Sequence, residues 1–370
     1  MATPGDSFRF TDRAARERSE EGLAPAATRA VDTRGRAHPE AEDPLRTAFE
    51  RDRDRILHAK AFRRLKHKTQ VFLNPDGDHF VTRLTHTLQV TQIARSLARA
   101  LGLNETLAEA IALGHDLGHS PFGHLGEDAL EPYVAGGWHH AAQGVRIVEV
   151  LEHLNLTWEV RDGVRSHSWK IDPPPATREG ECVRYADRIG YLSHDALDAI
   201  RAGVLRPDDL PERARAVFGE PGSEMVGTMI DSVVAGSLSP DNTAGAVVMD
   251  PDALEAMHEL RAFMFERVYN SETAAGQKHV AIEVIRRLVD HHLSHPELIP
   301  ASYRDTEADA VTQVVDYVSG MTDRFALAMH DRLFDADATS RMTPLLRDPP
   351  DRTAMTSRSS GSHRGQVPSP

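Results

Sequence analysis

Between positions 115 and 127 the chain reads His-Asp-Leu-Gly-His-Ser-Pro-Phe-Gly-His-Leu-Gly-Glu, which sets three imidazoles and two carboxylates close together. His115 and Asp116 are adjacent and fall at the end of a predicted helix, because Gly118, Pro121 and Gly123 break any helix just beyond them. Imidazole nitrogen and carboxylate oxygen together suit a borderline or hard divalent ion such as Mn, Mg, Co, Fe or Zn. A four-ligand site needs donors from elsewhere in the chain. His86 lies mid-helix in Thr85-His86-Thr87, and Asp187 lies in Tyr185-Ala186-Asp187-Arg188; both stretches should face a core. Taken singly, each of these residues is more often a satisfied polar group or a surface residue of a helical protein than a ligand.

Further residues cluster by spacing. His124 and Glu127 are three apart and share one helical face. They form either a proton-transfer couple or a loop histidine beside a carboxylate stabilised at a helix start. Arg83 precedes His86 by three positions, and Arg188 follows Asp187 directly. Asp187, Tyr191 and Asp195 recur at i, i+4 and i+8 and line up along one helix. Arg63, Arg64, Lys66, His67 and Lys68 make a basic run, which is either a solvated helix face or a wall for phosphate.

The elements that must position these groups are helical. Phe49, Ile56, Leu57, Phe62 and Leu65 recur at helical spacing, as do Leu84, Leu88, Ile93, Leu97 and Leu101, with Gly102 as the predicted C-cap. Asn104 reads as the N-cap of a helix over 105–113. More helices are predicted near 140–154, 180–203, 252–269, 272–294, 307–320 and 322–334, and period-two alternation is scarce. Asp76-Gly77 permits one short hairpin near 71–81. The expectation is an all-α fold around a central cleft over 45–345, a flexible arm over 1–44 and a disordered tail over 346–370.

Composition bounds the rest. With 370 residues, 40% of them apolar, the chain can bury a sizeable core. No apolar run approaches the roughly 20 residues of a membrane span, and the N-terminus lacks a basic-then-apolar signal. The single cysteine, Cys182, can form neither an internal disulfide nor a thiolate cage, which fits a cytoplasmic location. A net charge of −13 argues against a general nucleic-acid coat.

Over residues 33–334 the chain resembles the deoxyguanosinetriphosphate triphosphohydrolase-like family of HD-domain phosphohydrolases. The likeness runs through Arg51–Ile56, Ala61–Lys66, Lys68–Val71, Arg83–Leu88, His115–Glu127, Leu156–Gly163, Ala186–Tyr191 and Gly320–Arg324. It implies an HD-domain helical fold with a divalent metal held by His86, His115, Asp116 and Asp187. It also implies hydrolysis of a deoxynucleoside triphosphate at the α-phosphorus, giving deoxynucleoside and tripolyphosphate. His124 would transfer the proton, with Glu127 orienting it, and His119 would contact phosphate or the attacking water. Arg83, His140 and Arg188 would meet phosphate, while Gln70, Tyr191 and Asp195 would read the deoxyribose. A tyrosine ring against the sugar edge could exclude a 2′-hydroxyl. Around His139-His140-Ala141 the sequence departs from the family pattern, which puts local phosphate or base contacts in doubt.

Two other readings share these residues: an HD phosphohydrolase of a nucleoside monophosphate or cyclic nucleotide, and a nucleotide sensor without turnover. Retention of His124 and Glu127 speaks against the sensor. The family resemblance further suggests a homo-oligomer and a nucleotide effector, and the acidic balance leaves single-stranded DNA binding open. The preferred base is not encoded in any motif found.

Overall fold

A computed structural model describes residues 10–71, 80–270, 275–304, 306–334 and 338–341. These residues form helices and connecting turns, and contain no strand. The hairpin expected near 71–81 falls largely outside the described residues; an isolated antiparallel bridge between Thr69 and Thr82 flanks it. The tail expected over 346–370 also lies outside them.

In chain order the helices are α1 (Arg13–Ser19), α2 (Ala48–His58), α3 (Lys60–Arg64), α4 (Arg83–Ala100), α5 (Glu105–Gly114), α6 (His124–Leu130), α7 (His140–Arg146), α8 (Trp158–Ser166) and α9 (Arg178–Arg201). They continue as α10 (Glu212–Phe218), α11 (Ser223–Ser237), α12 (Pro251–Met264), α13 (Ala275–Ser294), α14 (Ala301–Arg304), α15 (Ala310–Ser319), α16 (Asp323–Phe334) and α17 (Ala338–Arg341). None is long and apolar enough to cross a membrane.

Helix starts follow the caps visible in the sequence. Asn104 accepts from the Thr106 and Leu107 amides at the start of α5. Thr82 and Thr85 bond reciprocally at the start of α4, satisfying amides that lack helical partners. At the other end of α4, Gly102 takes the left-handed conformation at φ +68°.

Helices α4, α5 and α9 pack together over a first core that includes Ile93, Leu97, Ile111 and Ile189, all fully buried. Gly190 lets α9 approach α4 beside His86: a Cβ there would lie 3.1 Å from Val90 and 3.7 Å from the His86 ring. A second core gathers Val284, Leu288, Val315 and Val318 of α13 and α15 against α16 and α6. Helix α6 therefore touches the C-terminal helices while carrying His124 and Glu127 of the central segment.

Of the first 44 residues, expected to be a flexible arm, those from Arg16 onward are tied to the body at several points. Glu179 of α9 accepts from the amide and hydroxyl of Thr28 and from the Asn104 amide. Glu159 accepts from Thr33 and the Arg34 amide, and Arg36 pairs with buried Asp52. The arm is held by charges and caps rather than by an apolar stripe, so it has no periodicity to read.

Candidate active site

Two helices and the segment that follows a third bring the proposed ligands close together. His86 projects from α4, Asp187 from α9, and His115 and Asp116 follow the last turn of α5. His86 Nε2 lies 3.1 Å from Asp187 Oδ1 and 3.9 Å from Asp116 Oδ2. His115 Nε2 lies 3.3 Å from Asp116 Oδ1 and 3.8 Å from Asp187 Oδ1. His86, His115 and Asp116 are buried, and Asp187 is partly so.

The donor set fits a divalent ion for a specific reason. His115 Nδ1 donates to the Ala112 carbonyl at 2.6 Å, which leaves the Nε2 lone pair facing the two carboxylates. Nε2 is buried with no hydrogen-bond partner among the described residues. A lone pair aimed at carboxylate oxygens is repulsive unless a cation lies between them. The carbonyl bond is also the kind that fixes a ligating imidazole in one orientation. Burial would raise the Asp116 carboxyl, but its surroundings, the Arg83 guanidinium and a hydrogen bond to His119 among them, outweigh it and hold it well below the usual carboxylate range. Arg83 Nη1 lies 2.9 Å from Asp116 Oδ2.

A second buried group, Asp116, His119 and His140, also brings its donor atoms close together. It is poorly suited to an ion. The His119 and His140 rings stack at 3.9 Å and 12°, so their in-plane lone pairs cannot converge on one centre.

Glu127 sits at a junction of histidines. Its nearest partner is His140, with Nδ1 at 2.7 Å from Oε1; His119 Nδ1 lies at 3.3 Å and His124 Nδ1 at 3.7 Å. Burial pushes the Glu127 carboxyl up, but His140 and His124 overcome it and keep it ionised. His140 Nε2 lies 3.0 Å from His167 Nε2, and His167 Nδ1 donates to the Val164 carbonyl at 2.8 Å. Burial, with His115 and His140 nearby, lowers His167 to about 3, so its ring is neutral and its Nε2 must accept. His140 therefore donates from both nitrogens, to His167 and to Glu127. His119 is held neutral, mainly by burial.

These groups share a cavity of about 950 Å³. Of the residues singled out in the sequence, Gln70, Arg83, His86, Asp116, His119, His124, Glu127, His140, Asp187, Arg188, Tyr191 and Asp195 line it, and His115 lies behind the wall. The sequence reading missed His167, Trp169, Arg261, Tyr269 and Lys278, which also line it. Arg188 lies 3.8 Å over the Trp169 ring, and Tyr269 donates to Asp195 at 2.8 Å. Gln70 Oε1 is buried without a partner among the described residues. Of the basic run, Lys68 alone is buried; Arg63, Lys66 and His67 are exposed, as a solvated face requires.

Most of the chain is similar to known proteins. Residues 83–192 match the HD domain, and residues 247–332 match the phosphohydrolase-associated domain. A deoxyguanosinetriphosphate triphosphohydrolase-like protein of Caldanaerobacter subterraneus subsp. tengcongensis is 46% identical over 318 residues, covering 84% of this chain and 92% of its own. Its namesake from Desulfatibacillum aliphaticivorans is 43% identical, covering 86% and 96%. That from Clostridium perfringens strain 13 is 41% identical, covering 81% and 90%. A crystallised hypothetical protein from Aquifex aeolicus aligns with a TM-score of 0.46 and 20% identity, over 79% of this chain and 69% of that one. The chain belongs to the deoxyguanosinetriphosphate triphosphohydrolase-like family of HD-domain phosphohydrolases.

Proposed function

We propose that the chain hydrolyses deoxynucleoside triphosphates at the α-phosphorus, releasing deoxynucleoside and intact tripolyphosphate. One observation carries the reading. His86, Asp116 and Asp187 of the donor set and the Glu127 junction line the same cavity, whose wall also bears Arg83, Arg188, Arg261 and Lys278. A polyanion needs such cations, and phosphoryl chemistry needs positioning and charge neutralisation more than covalent help. The names of the relatives favour the substrate class.

His86, His115, Asp116 and Asp187 would hold the divalent ion. When bound, such an ion supplies Lewis-acid charge at the phosphoryl group and lowers the pKa of water. The 5′-oxygen of the sugar is a poor leaving group and must receive a proton as its bond to phosphorus breaks. His124 is the donor we assign, because its side chain is 66% exposed and can reach into the cavity. Glu127 orients it. His140, donating to Glu127 and His167, adds a fixed donor at the cavity floor, and neutral His119 can bond a phosphate oxygen. Arg188, braced on Trp169, and Arg83 meet the phosphate chain. Gln70, Tyr191 and Asp195 would read the sugar, with the Tyr191 ring against the position of a 2′-hydroxyl.

Product analysis tests the proposal. The purified chain is incubated with each deoxynucleoside triphosphate and its ribonucleotide counterpart, with Mn or Mg. Tripolyphosphate and deoxynucleoside are the expected products. Pyrophosphate with a monophosphate would move the attack to another phosphorus. Tight binding without product, unchanged in His124→Ala, would make the chain a sensor.

A further inference from the structure

Lys68 stands at the end of an otherwise solvated basic run, yet it is only 3% exposed. Its Nζ donates to the carbonyl of His119, and to that of Ser319 at 3.1 Å. Burying an ammonium is costly unless it is paired. Two carboxylates act on it, Asp116 and, more strongly, Asp323, the first residue of α16, itself 7% exposed. Neither Lys68 nor Asp323 lines the cavity.

Asp323 uses both oxygens on the other side of the same loop. Oδ2 accepts from the Thr69 amide at 2.9 Å and from the Thr69 hydroxyl. Oδ1 accepts from the Phe122 amide at 3.0 Å. Phe122 has φ +62° and Gly123 has φ +58°, so two consecutive residues are left-handed just before α6. A phenylalanine adopts that conformation only where its surroundings hold it. Gly123 has a second reason to lack a side chain: a Cβ there would lie 2.9 Å from Arg83 Nη2. His124 follows directly, and Glu127 comes one turn later, so this loop aims both.

We propose that Lys68 and Asp323 are positioning residues that clamp the 119–123 loop from its two ends, so that the C-terminal helices set the aim of the proton-transfer groups. Lys68 fixes the carbonyl of His119 against the end of α15. Asp323 fixes the strained amide of Phe122 against Thr69. The catalytic contribution rests on the function proposed above; the clamp itself does not.

The test uses the full chain carrying Asp323→Asn and, separately, Lys68→Met. An asparagine offers one acceptor oxygen where three donors share the two of a carboxylate, and methionine removes the donor while keeping most of the volume. Hydrogen exchange reads the clamp without any substrate. In Asp323→Asn, exchange in peptides spanning 119–126 should speed by about tenfold or more, while peptides of α4 and α9 stay at wild-type rates. Kinetics read the consequence. A misplacement near 1 Å can cost on the order of 100-fold. We expect kcat to fall by roughly that factor in both variants, with KM within about twofold and Mn stoichiometry unchanged. Wild-type exchange in the loop, or uniform acceleration across the chain, would overturn the clamp. Faster loop exchange with wild-type kcat at a temperature well below Tm would overturn its catalytic role. If wild-type protein turns over no deoxynucleotide, the functional reading fails and the exchange result still decides the clamp.

Discussion

His140 Nδ1 stands 2.7 Å from Glu127 Oε1, inside the protein and sheltered from solvent. Sequence spacing alone pairs Glu127 with His124, three residues earlier on the same helix. The structure gives the carboxylate three imidazoles, His140, His119 and His124, and the first and last stand in different settings. His140 is buried and locked by His167, whereas His124 is 3.7 Å away and largely exposed. A carboxylate anchored by the first can steer the second without being displaced when it swings toward a substrate.

Glu127→Gln should therefore be more damaging than its surface neighbours suggest. A glutamine keeps one acceptor oxygen and places an NH2 where the second stood, so it cannot accept from His140 and His124 together. A general acid–base contribution is worth about 10² to 10⁴ in rate, and we expect kcat to fall within that range. Metal content should be unchanged, because Glu127 lies outside the donor set. Steady-state kinetics beside metal analysis check both halves. An unaltered kcat would remove Glu127 from proton transfer.

His167→Phe tests the far end of the same chain. The ring volume is nearly kept, but the acceptor for His140 Nε2–H is lost. Leaving a buried donor unpaired costs about 1–3 kcal/mol, so the denaturation midpoint should drop. Turnover should drop as well, because His140 loses one of the two bonds that fix its ring. An unchanged melting curve would mean that the 3.0 Å contact carries no bond.

How far the sequence already disclosed this site depends on what holds each residue. The four metal-ligand candidates are legible because ligands must be of particular residue types, and His115-Asp116 sits beside Gly118, which cannot be larger. A Cβ on Gly118 would lie 2.0 Å from the His140 carbonyl, so that glycine brings α7 against the loop. His167 leaves no comparable trace. It follows the end of α8, its partners are 27 residues away and a backbone carbonyl, and nothing in Ser166-His167-Ser168 marks it. Tyr269, Arg261 and Lys278 are equally silent, because only the packing of α12 and α13 brings them to the cavity. The arm misleads for another reason: its anchors are buried carboxylates on distant helices, and a polar segment gives no warning that its partners are charges.

Metal binding should be measurable as stability. A ligand present at 100 times its dissociation constant adds about 2.7 kcal/mol when it binds only the folded chain. Chelated protein titrated with Mn should rise in Tm as the concentration passes the dissociation constant. His115→Ala should show a flat response, since its Nε2 is a buried candidate ligand atom with no hydrogen-bond partner among the described residues. A full Tm rise in that variant would place the ion elsewhere.

A last prediction concerns acid stability, away from the site. His292 lies on α13 in the second core, 2% exposed, edge-on to the Tyr317 ring, and both its nitrogens lack a hydrogen-bond partner among the described residues. Burial, helped by His291 and His295, lowers its pKa to about 4 from an ordinary 6.5. Between those values the unfolded chain binds a proton that the folded chain refuses, so stability must fall as pH drops from 6.5 toward 4 and is untouched above it. His292→Leu removes the titrating group and two unpaired polar atoms. It should be neutral to about 1 kcal/mol stabilising at pH 7.5, and the gain should widen at pH 5.5. Other buried histidines, His119 and His167 among them, keep some acid sensitivity in the variant. Urea midpoints for both proteins at the two pH values decide it: an identical acid drop in each would show that His292 gains no proton on unfolding.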